Sequence, residues 1–248
     1  LNENIEQLEE IMIRNLKQHL ISDVPIGLTL SGGVDSSLLT AMVRKHSNID
    51  LTTYSITFNQ KRDKGRIIDE SKYINIVNKE FGGKKNLIEF NSNDFSTNWD
   101  KIVFHNEELI SLPNSACIFL ISKIASRKHK VMLSGEGADE IFAGYDIFLN
   151  NSLNLNTHAY SNIDQILNFT NNKYIDLSFR NKFIENKKKN KLKQKMTYIA
   201  NTSMQTLNNR LDKLSMSFGV EFREPFLTKS LMEFSSSLPD EQLVNQNQ

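Results

Sequence analysis

The chain has 248 residues, with 30 Lys and Arg against 29 Asp and Glu and a formal net charge of +1. It is long enough to bury a substantial core, and too evenly charged for its overall field to draw it to nucleic acid or a membrane. Its single cysteine, Cys117, excludes an intrachain disulfide and a cysteine-rich zinc site, and its five histidines show no HExxH or comparable ligand spacing.

Ile5, Leu8, Ile11, Met12, Leu16 and Leu20 recur at helical spacing, so the chain opens with an amphipathic helix that ends near Ser22-Asp-Val-Pro25. This polar, acid-bearing segment is neither a signal peptide nor a membrane span, and with one cysteine the expectation is a cytoplasmic protein. Pro25 breaks the helix and feeds a strand over Ile26–Leu30. The apolar run then stops at Ser31-Gly32-Gly33-Val34-Asp35-Ser36-Ser37, after which Leu38, Leu39, Met42 and Val43 mark the buried face of a second helix. A helix beginning at about Asp35 points unpaired N–H groups and its positive dipole end into the turn, which makes the turn a phosphate site. Gly32 and Gly33 remove Cβ atoms that would hold a phosphate off the backbone, while Ser31, Ser36 and Ser37 add hydroxyl donors. Asp35 beside a polyphosphate implies Mg²⁺ between them. The plainer reading is a glycine turn with a serine cap, which accounts for each residue singly but not for the whole run. No Gly-Lys-Ser/Thr follows a four-residue spacer, so this is not a Walker-type loop.

Ser-Gly-Gly-Val-Asp-Ser-Ser over 31–37 resembles the PP-loop of the N-type ATP pyrophosphatases, which cleave ATP to AMP and pyrophosphate while adenylating an acceptor.

The next strand runs over Leu51–Phe58 and ends in a polar loop carrying Lys61, Arg62, Lys64 and Arg66. Asp69 is expected to cap a helix bearing Tyr73, Ile76, Val77 and Phe81 that Gly82-Gly83 terminates, and Leu87–Phe90 is a third strand. Strands alternating with helices of this length predict an α/β fold, a mainly parallel doubly wound sheet with helices on both faces. Helical patterns follow over Asp94–Phe104 and Pro113–His129. Cys117, with no local base or positive charge, reads as a small buried side chain and not a nucleophile. Val131–Ser134 is a fourth strand and again ends in Ser-Gly: Ser134-Gly-Glu136-Gly-Ala-Asp139-Glu140. Three acids at the start of a helix can bind Mg²⁺, receive the N-terminal dipole or orient an amine; the plain alternative is an acidic first turn. In a parallel sheet both Ser-Gly turns lie at carboxyl ends of strands, where Asp35 and Asp139 could share one metal.

The Asn-rich stretch over 150–176 reads as a variable insert, and Lys187–Lys195 as a solvated helix face rather than a nucleic-acid contact, because no aromatic platform is interleaved. A helical stretch over Met196–Phe218 leads to Gly219, which stops it, to Glu221 and Arg223 as a buried pair, and to Thr228 as a cap. The expected organisation is a nucleotide-binding core over 1–149 and a variable insert with a helical C-terminal part over 150–248.

Leu-Ser-Gly-Glu-Gly-Ala-Asp-Glu-Ile-Phe-Ala-Gly-Tyr over 133–145, Asp23-Val-Pro-Ile-Gly27 before the PP-loop, and Leu211-Asp-Lys-Leu-Ser-Met-Ser-Phe-Gly-Val-Glu-Phe-Arg-Glu-Pro-Phe-Leu-Thr228 together resemble the asparagine synthetase family. The resemblance implies an adenine nucleotide alpha hydrolase-like fold. It implies a ligase that adenylates the aspartate β-carboxylate and lets ammonia displace AMP. It assigns the ATP phosphates to Ser31, Gly32, Gly33, Asp35, Ser36 and Ser37, the adenosine to Leu30, Ile56, Ser134 and Gly135, Mg²⁺ to Asp35 and Asp139, and support of the aspartyl-AMP intermediate to Glu136. Related families apply the same chemistry to other acceptors: β-lactam synthetases, lasso-peptide cyclases and surface-polysaccharide amidotransferases. The family's glutamine-hydrolysing member adds an N-terminal glutaminase domain and continues into a Gly-Lys segment; neither lies within Leu1–Gln248. The expectation is therefore a synthetase domain cut from, or partnered with, a glutaminase that supplies ammonia, or a nucleotide-binding module without turnover. Lys213, Thr228 and Ala143 stand where the family has arginine, aspartate and glycine.

Overall fold

The computed structural model describes residues 2–58, 70–108, 110, 112–149, 178 and 190–244. The chain divides into two compact units, one comprising 2–136 and 208–228 and the other 137–207 and 229–248. The loop expected over 59–69, including the Asp69 cap, and the insert over 150–176 lie outside the described residues.

The first unit is built on α1 (Asn2–His19), β1 (Ile26–Thr29), α2 (Val34–His46), β2 (Thr52–Phe58), α3 (Ser71–Phe81), β3 (Lys84–Phe90), α4 (Ser92–Asn106), α5 (Ser115–Ala125) and β4 (Val131–Leu133). Its sheet has the order β3-β2-β1-β4-β5, where β5 is Glu221–Arg223, and every pairing is parallel. The chain winds outward from β1 through β2 to β3, then returns to the other side of β1 to place β4 and β5. That reversal makes a topological switch point between β1 and β4, and the crevice at their carboxyl ends is where open parallel sheets bind ligands.

Both sheet faces are covered. On one, Tyr54, Ile88 and Met132 pack with Ile121 and Ala125 of α5 and with Val220. On the other, the Thr53 hydroxyl donates to Asn78 of α3 at 2.9 Å. Adjacent residues point to opposite faces, so Thr53 and Tyr54 mark the two layers. Gly27 is needed on central strand β1, because a Cβ there would lie 2.5 Å from Met132 Sδ and 3.2 Å from the Tyr54 ring. The Tyr54 hydroxyl lies 2.8 Å from Nδ1 of buried His129, just before β4.

Local signals explain most boundaries. Gly82, at φ +66, ends α3 as the sequence predicts. The helix expected from Asp94 begins earlier, at Ser92. Asn91 accepts from the Asn93 and Asp94 amides while Asp94 accepts from the Asn91 amide, a capping box. One expectation for the C-terminal block needs correction. Residues 221–223 form a short parallel strand, and Glu221 is exposed, so its 2.7 Å pair with Arg223 is not buried. Arg223 Nη1 instead ties the end of α1 to the sheet, donating to His19 O and Ile21 O at 2.7 Å each.

The second unit contains α6 (Ala138–Phe142), a 3₁₀ turn (Asp146–Phe148), α7 (Lys191–Asn201), the start of α8 (Ser203–Met216), α9 (Lys229–Ser237) and α10 (Asp240–Leu243). Ala143, Phe148, Met196, Tyr198, Ile199 and Val244 form its apolar cluster. The lysine run is not a uniformly solvated face: Lys195 is 1% exposed and donates to Ile147 O at 2.7 Å, and Lys193 donates to Ser235 O at 2.9 Å. No helix among the described residues is long and apolar enough to cross a membrane.

Candidate functional site

The turn after β1 organises itself from its own residues. The Ser31 and Ser36 hydroxyls lie 3.0 Å apart, Ser36 Oγ accepts from the Ser31 amide, and Ser31 Oγ accepts from the Gly33 amide at 3.2 Å. Ser36 and Ser37 both donate to Gly33 O, at 3.2 and 2.7 Å. The serines therefore shape the turn as well as lining it. Gly33 is the N-cap of α2 and brings no side chain to cap the first amides of the helix, and Asp35 stands in that first turn.

The two glycines serve different ends. Gly32 has φ +94, and a Cβ would meet Glu70 O, Ile74 Cγ1 and Tyr73 Cβ at 3.2 Å, so its missing side chain admits the start of α3 rather than a phosphate. At Gly33 a Cβ would meet only Ser31 Oγ, at 3.4 Å. Leu30 is 1% exposed and its amide donates to Tyr54 O at 2.9 Å, so its side chain is packed inside and its N–H is committed to β2. Ile56, half-buried, sits two residues further along β2.

The turn after β4 is seated against this one. A Cβ on Gly135 would lie 3.0 Å from Ser36 N, 3.2 Å from Ser36 Cα and 3.3 Å from Asp35 C. Backbone thus rests on backbone at the first turn of α2, an approach that a Cβ would push apart by a few tenths of an ångström. Ser134 donates its amide to Arg223 O at 2.9 Å and accepts from the Glu136 amide through Oγ at 3.2 Å. Glu136 accepts at Oε1 from Nη2 of Arg210 at 3.3 Å, and Nη1 of Arg210 donates to Asn114 Oδ1 at 2.6 Å.

Leu30, Ser31, Gly32, Gly33, Asp35, Ser36, Ser37, Ile56, Ser134, Gly135 and Glu136 all fall in the first unit, whereas Asp139 belongs to the second. Asp139 is half-buried, and burial pushes its carboxyl above the ordinary range. It shares close quarters with Gly144, whose amide donates to Asp139 O at 2.9 Å and where a Cβ would run into the carboxylate. Glu140 is buried and accepts from the Tyr145 hydroxyl at 2.5 Å; burial raises its pKa and that hydrogen bond opposes the rise. Cys117 is half-buried rather than fully buried as the sequence suggests, and burial pushes its thiol up to about 11, which keeps it protonated.

The Asparagine synthase family model matches residues 7–248. The chain belongs to the asparagine synthase family. Among curated members, a putative glutamine-hydrolysing asparagine synthetase 2 of Methanocaldococcus jannaschii is 33% identical over 147 residues, covering 59% of this chain and 27% of that protein. A glutamine-hydrolysing asparagine synthetase of Zea mays is 27% identical over 246 residues, covering 94% of this chain and 35% of the relative. The chain therefore spans roughly a quarter to a third of the length of these asparagine synthetases. The NH3-dependent NAD synthetase of Campylobacter jejuni, a solved structure, superposes with a TM-score of 0.41 at 16% identity, over 82% of this chain and 93% of that one.

Arg210 and Asn114 are the residues that sequence reasoning missed. The available signal was phase: Arg210 lies three residues after Leu207 and four before Leu214, a charge on the stripe of α8 that turns inward.

Proposed function

We propose that this chain is the synthetase part of a glutamine-dependent asparagine synthetase. It activates the aspartate β-carboxylate with ATP and passes it to ammonia, giving asparagine, AMP and pyrophosphate. The observation that carries the reading is the seating of Gly135 on the first turn of α2, which joins two Ser-Gly turns at the switch point of a parallel sheet in a member of this family.

In this reading the first amides of α2, with Gly32, Gly33, Ser31, Ser36 and Ser37, hold the ATP phosphates. Backbone at Leu30, Ile56, Ser134 and Gly135 lines the adenosine. The β-carboxylate oxygen attacks the α-phosphorus and the bond to pyrophosphate breaks. Ammonia then attacks the acyl carbon, the bond to AMP breaks, and the nitrogen sheds a proton. Glu136 supports both steps from the turn after β4.

The donor set suits Mg²⁺, which takes one or two carboxylates and fills its remaining positions with water and phosphate oxygens. No group of three or more His, Cys, Asp or Glu side chains among the described residues forms a dedicated metal cage. Asp35, and by resemblance Asp139, would hold Mg²⁺, which offsets the charge on the departing pyrophosphate when bound. A glutaminase domain or subunit would supply the ammonia, and the setting is cytoplasmic.

Incubation with ATP, Mg²⁺, aspartate and ammonium, with AMP, pyrophosphate and asparagine quantified, tests the reading. All three products in equal amounts are expected, and aspartate-dependent exchange of labelled pyrophosphate into ATP isolates the first step. Turnover that ignores aspartate and follows another acceptor would replace the substrate assignment, and ATP binding without pyrophosphate release would leave a nucleotide-binding module without turnover.

A further inference from the structure

We infer that Arg210 is a positioning residue that, with Asn114, fixes the carboxylate of Glu136 at the turn after β4; the inference rests on the role given to Glu136 above. The Arg210 side chain is 5% exposed and that of Glu136 is 32% exposed. Arg210 is therefore sealed inside, and Glu136 only partly so: part of its side chain meets solvent while Oε2 is buried. One side of the guanidinium is committed to Asn114 at 2.6 Å and the other to Glu136 at 3.3 Å, so the cation is clamped between the cap of α5 and the turn. Two donors on one rigid plane transmit the position of Asn114 to Glu136, which a lysine ammonium cannot do.

A role confined to folding fits poorly. A buried ion pair returns little net stability compared with apolar residues of the same size. This one is kept at the turn whose Gly135 rests on Asp35 and Ser36. The backbone of 134–136 is anchored by Arg223 O and Ser134 Oγ, and Arg210 restricts the Glu136 rotamer.

The experiment uses the full chain with Arg210→Met, Arg210→Lys, Asn114→Ala and Glu136→Gln, read by aspartate-dependent pyrophosphate–ATP exchange with kcat and the KM for ATP determined separately. Arg210→Met should lower kcat by about tenfold to a hundredfold, the range expected when a reacting group loses its placement, with the KM for ATP within about twofold. Arg210→Lys should recover only part of that, and Asn114→Ala, whose folding is less at stake, should lower kcat by about threefold to tenfold. Arg210→Met added to Glu136→Gln should cost nothing beyond Glu136→Gln alone. Unchanged kcat in Arg210→Met or Asn114→Ala, or a double variant whose losses multiply, overturns the inference. A carboxyl ¹³C resonance of Glu136, assigned with Glu136→Gln, separates this from failure of the proposed reaction. It should stand apart from the exposed glutamates in the parent chain and move among them in Arg210→Met, whether or not the chain makes asparagine; a resonance that does not move overturns the inference.

Discussion

The turns after β1 and β4 both begin Ser-Gly, yet they are held by different means. The first is closed by its own residues, with the side-chain hydrogen bonds of Ser31, Ser36 and Ser37 falling between 31 and 37. The second is held from a distance: Ser134 by the carbonyl of Arg223, Glu136 by Arg210, and Arg210 in turn by Asn114. A turn that must present amides to an anion gains from being pre-formed locally, since no distant part has to move for it to exist. A turn that must aim one carboxylate gains from a clamp, since a side chain has more freedom than a backbone and needs partners outside its own segment.

Charge is where the first turn is most vulnerable. Asp35→Asn changes almost no shape, so the bond network of the turn should survive while Mg²⁺-dependent pyrophosphate release falls by at least about a hundredfold. Pyrophosphate release assayed over a range of Mg²⁺ concentrations, alongside circular dichroism, checks this, and retained release would remove Asp35 from the metal. Gly135→Ala acts on the seam between the turns. With a Cβ 3.0 Å from Ser36 N, the two must part by a few tenths of an ångström. The expected cost is about 1–3 kcal/mol in denaturant unfolding. ATP affinity should fall with it, and an unaltered ATP titration would separate the seam from the site.

A weaker lever lies at the entry to β4, where burial holds His129 below its ordinary pKa, assisted by Lys128. Because the folded chain resists the proton, the unfolded chain binds more of it as pH drops below the ordinary histidine value of 6.5. Stability from neutral His129 is complete above that value and is lost as pH falls toward the folded pKa. Unfolding free energies between pH 8 and 5.5 should show a smaller acid loss in His129→Gln than in the parent chain.

The smallest expected effect follows the second turn, at Ala143. It sits at φ +59 after α6, a left-handed position where the resembling family has glycine. Ala143→Gly should relieve strain and stabilise the chain by about 0.5–1 kcal/mol in thermal or denaturant unfolding, with activity unchanged.

Much of the first unit was legible because its signals are local. Pro25, the glycines at 32–33 and 82–83, and the periodicity of Leu39, Met42 and Val43 act within a few residues of themselves, and the structure puts β1, α2, α3 and the parallel sheet where they point. Misreadings arose where distant partners decided. Residues 221–223 carry too little pattern to announce a strand, and become one because β4 offers them an edge. Lys195 belongs to a run that looks solvated and is buried because Ile147 O receives its ammonium.

By itself, then, the sequence determined that a strand would end in a Ser-Gly-Gly turn opening a helix, that an acid would stand in the first helical turn, and that a second Ser-Gly turn would follow a later strand. Only the tertiary structure decided that Gly135 rests on Ser36, that Gly32 makes room for α3, and that Arg210 and Asn114 hold Glu136. The physical reason is range: backbone propensity and capping act over one turn of chain, whereas the partner of a buried charge is set by which surfaces the sheet order brings together.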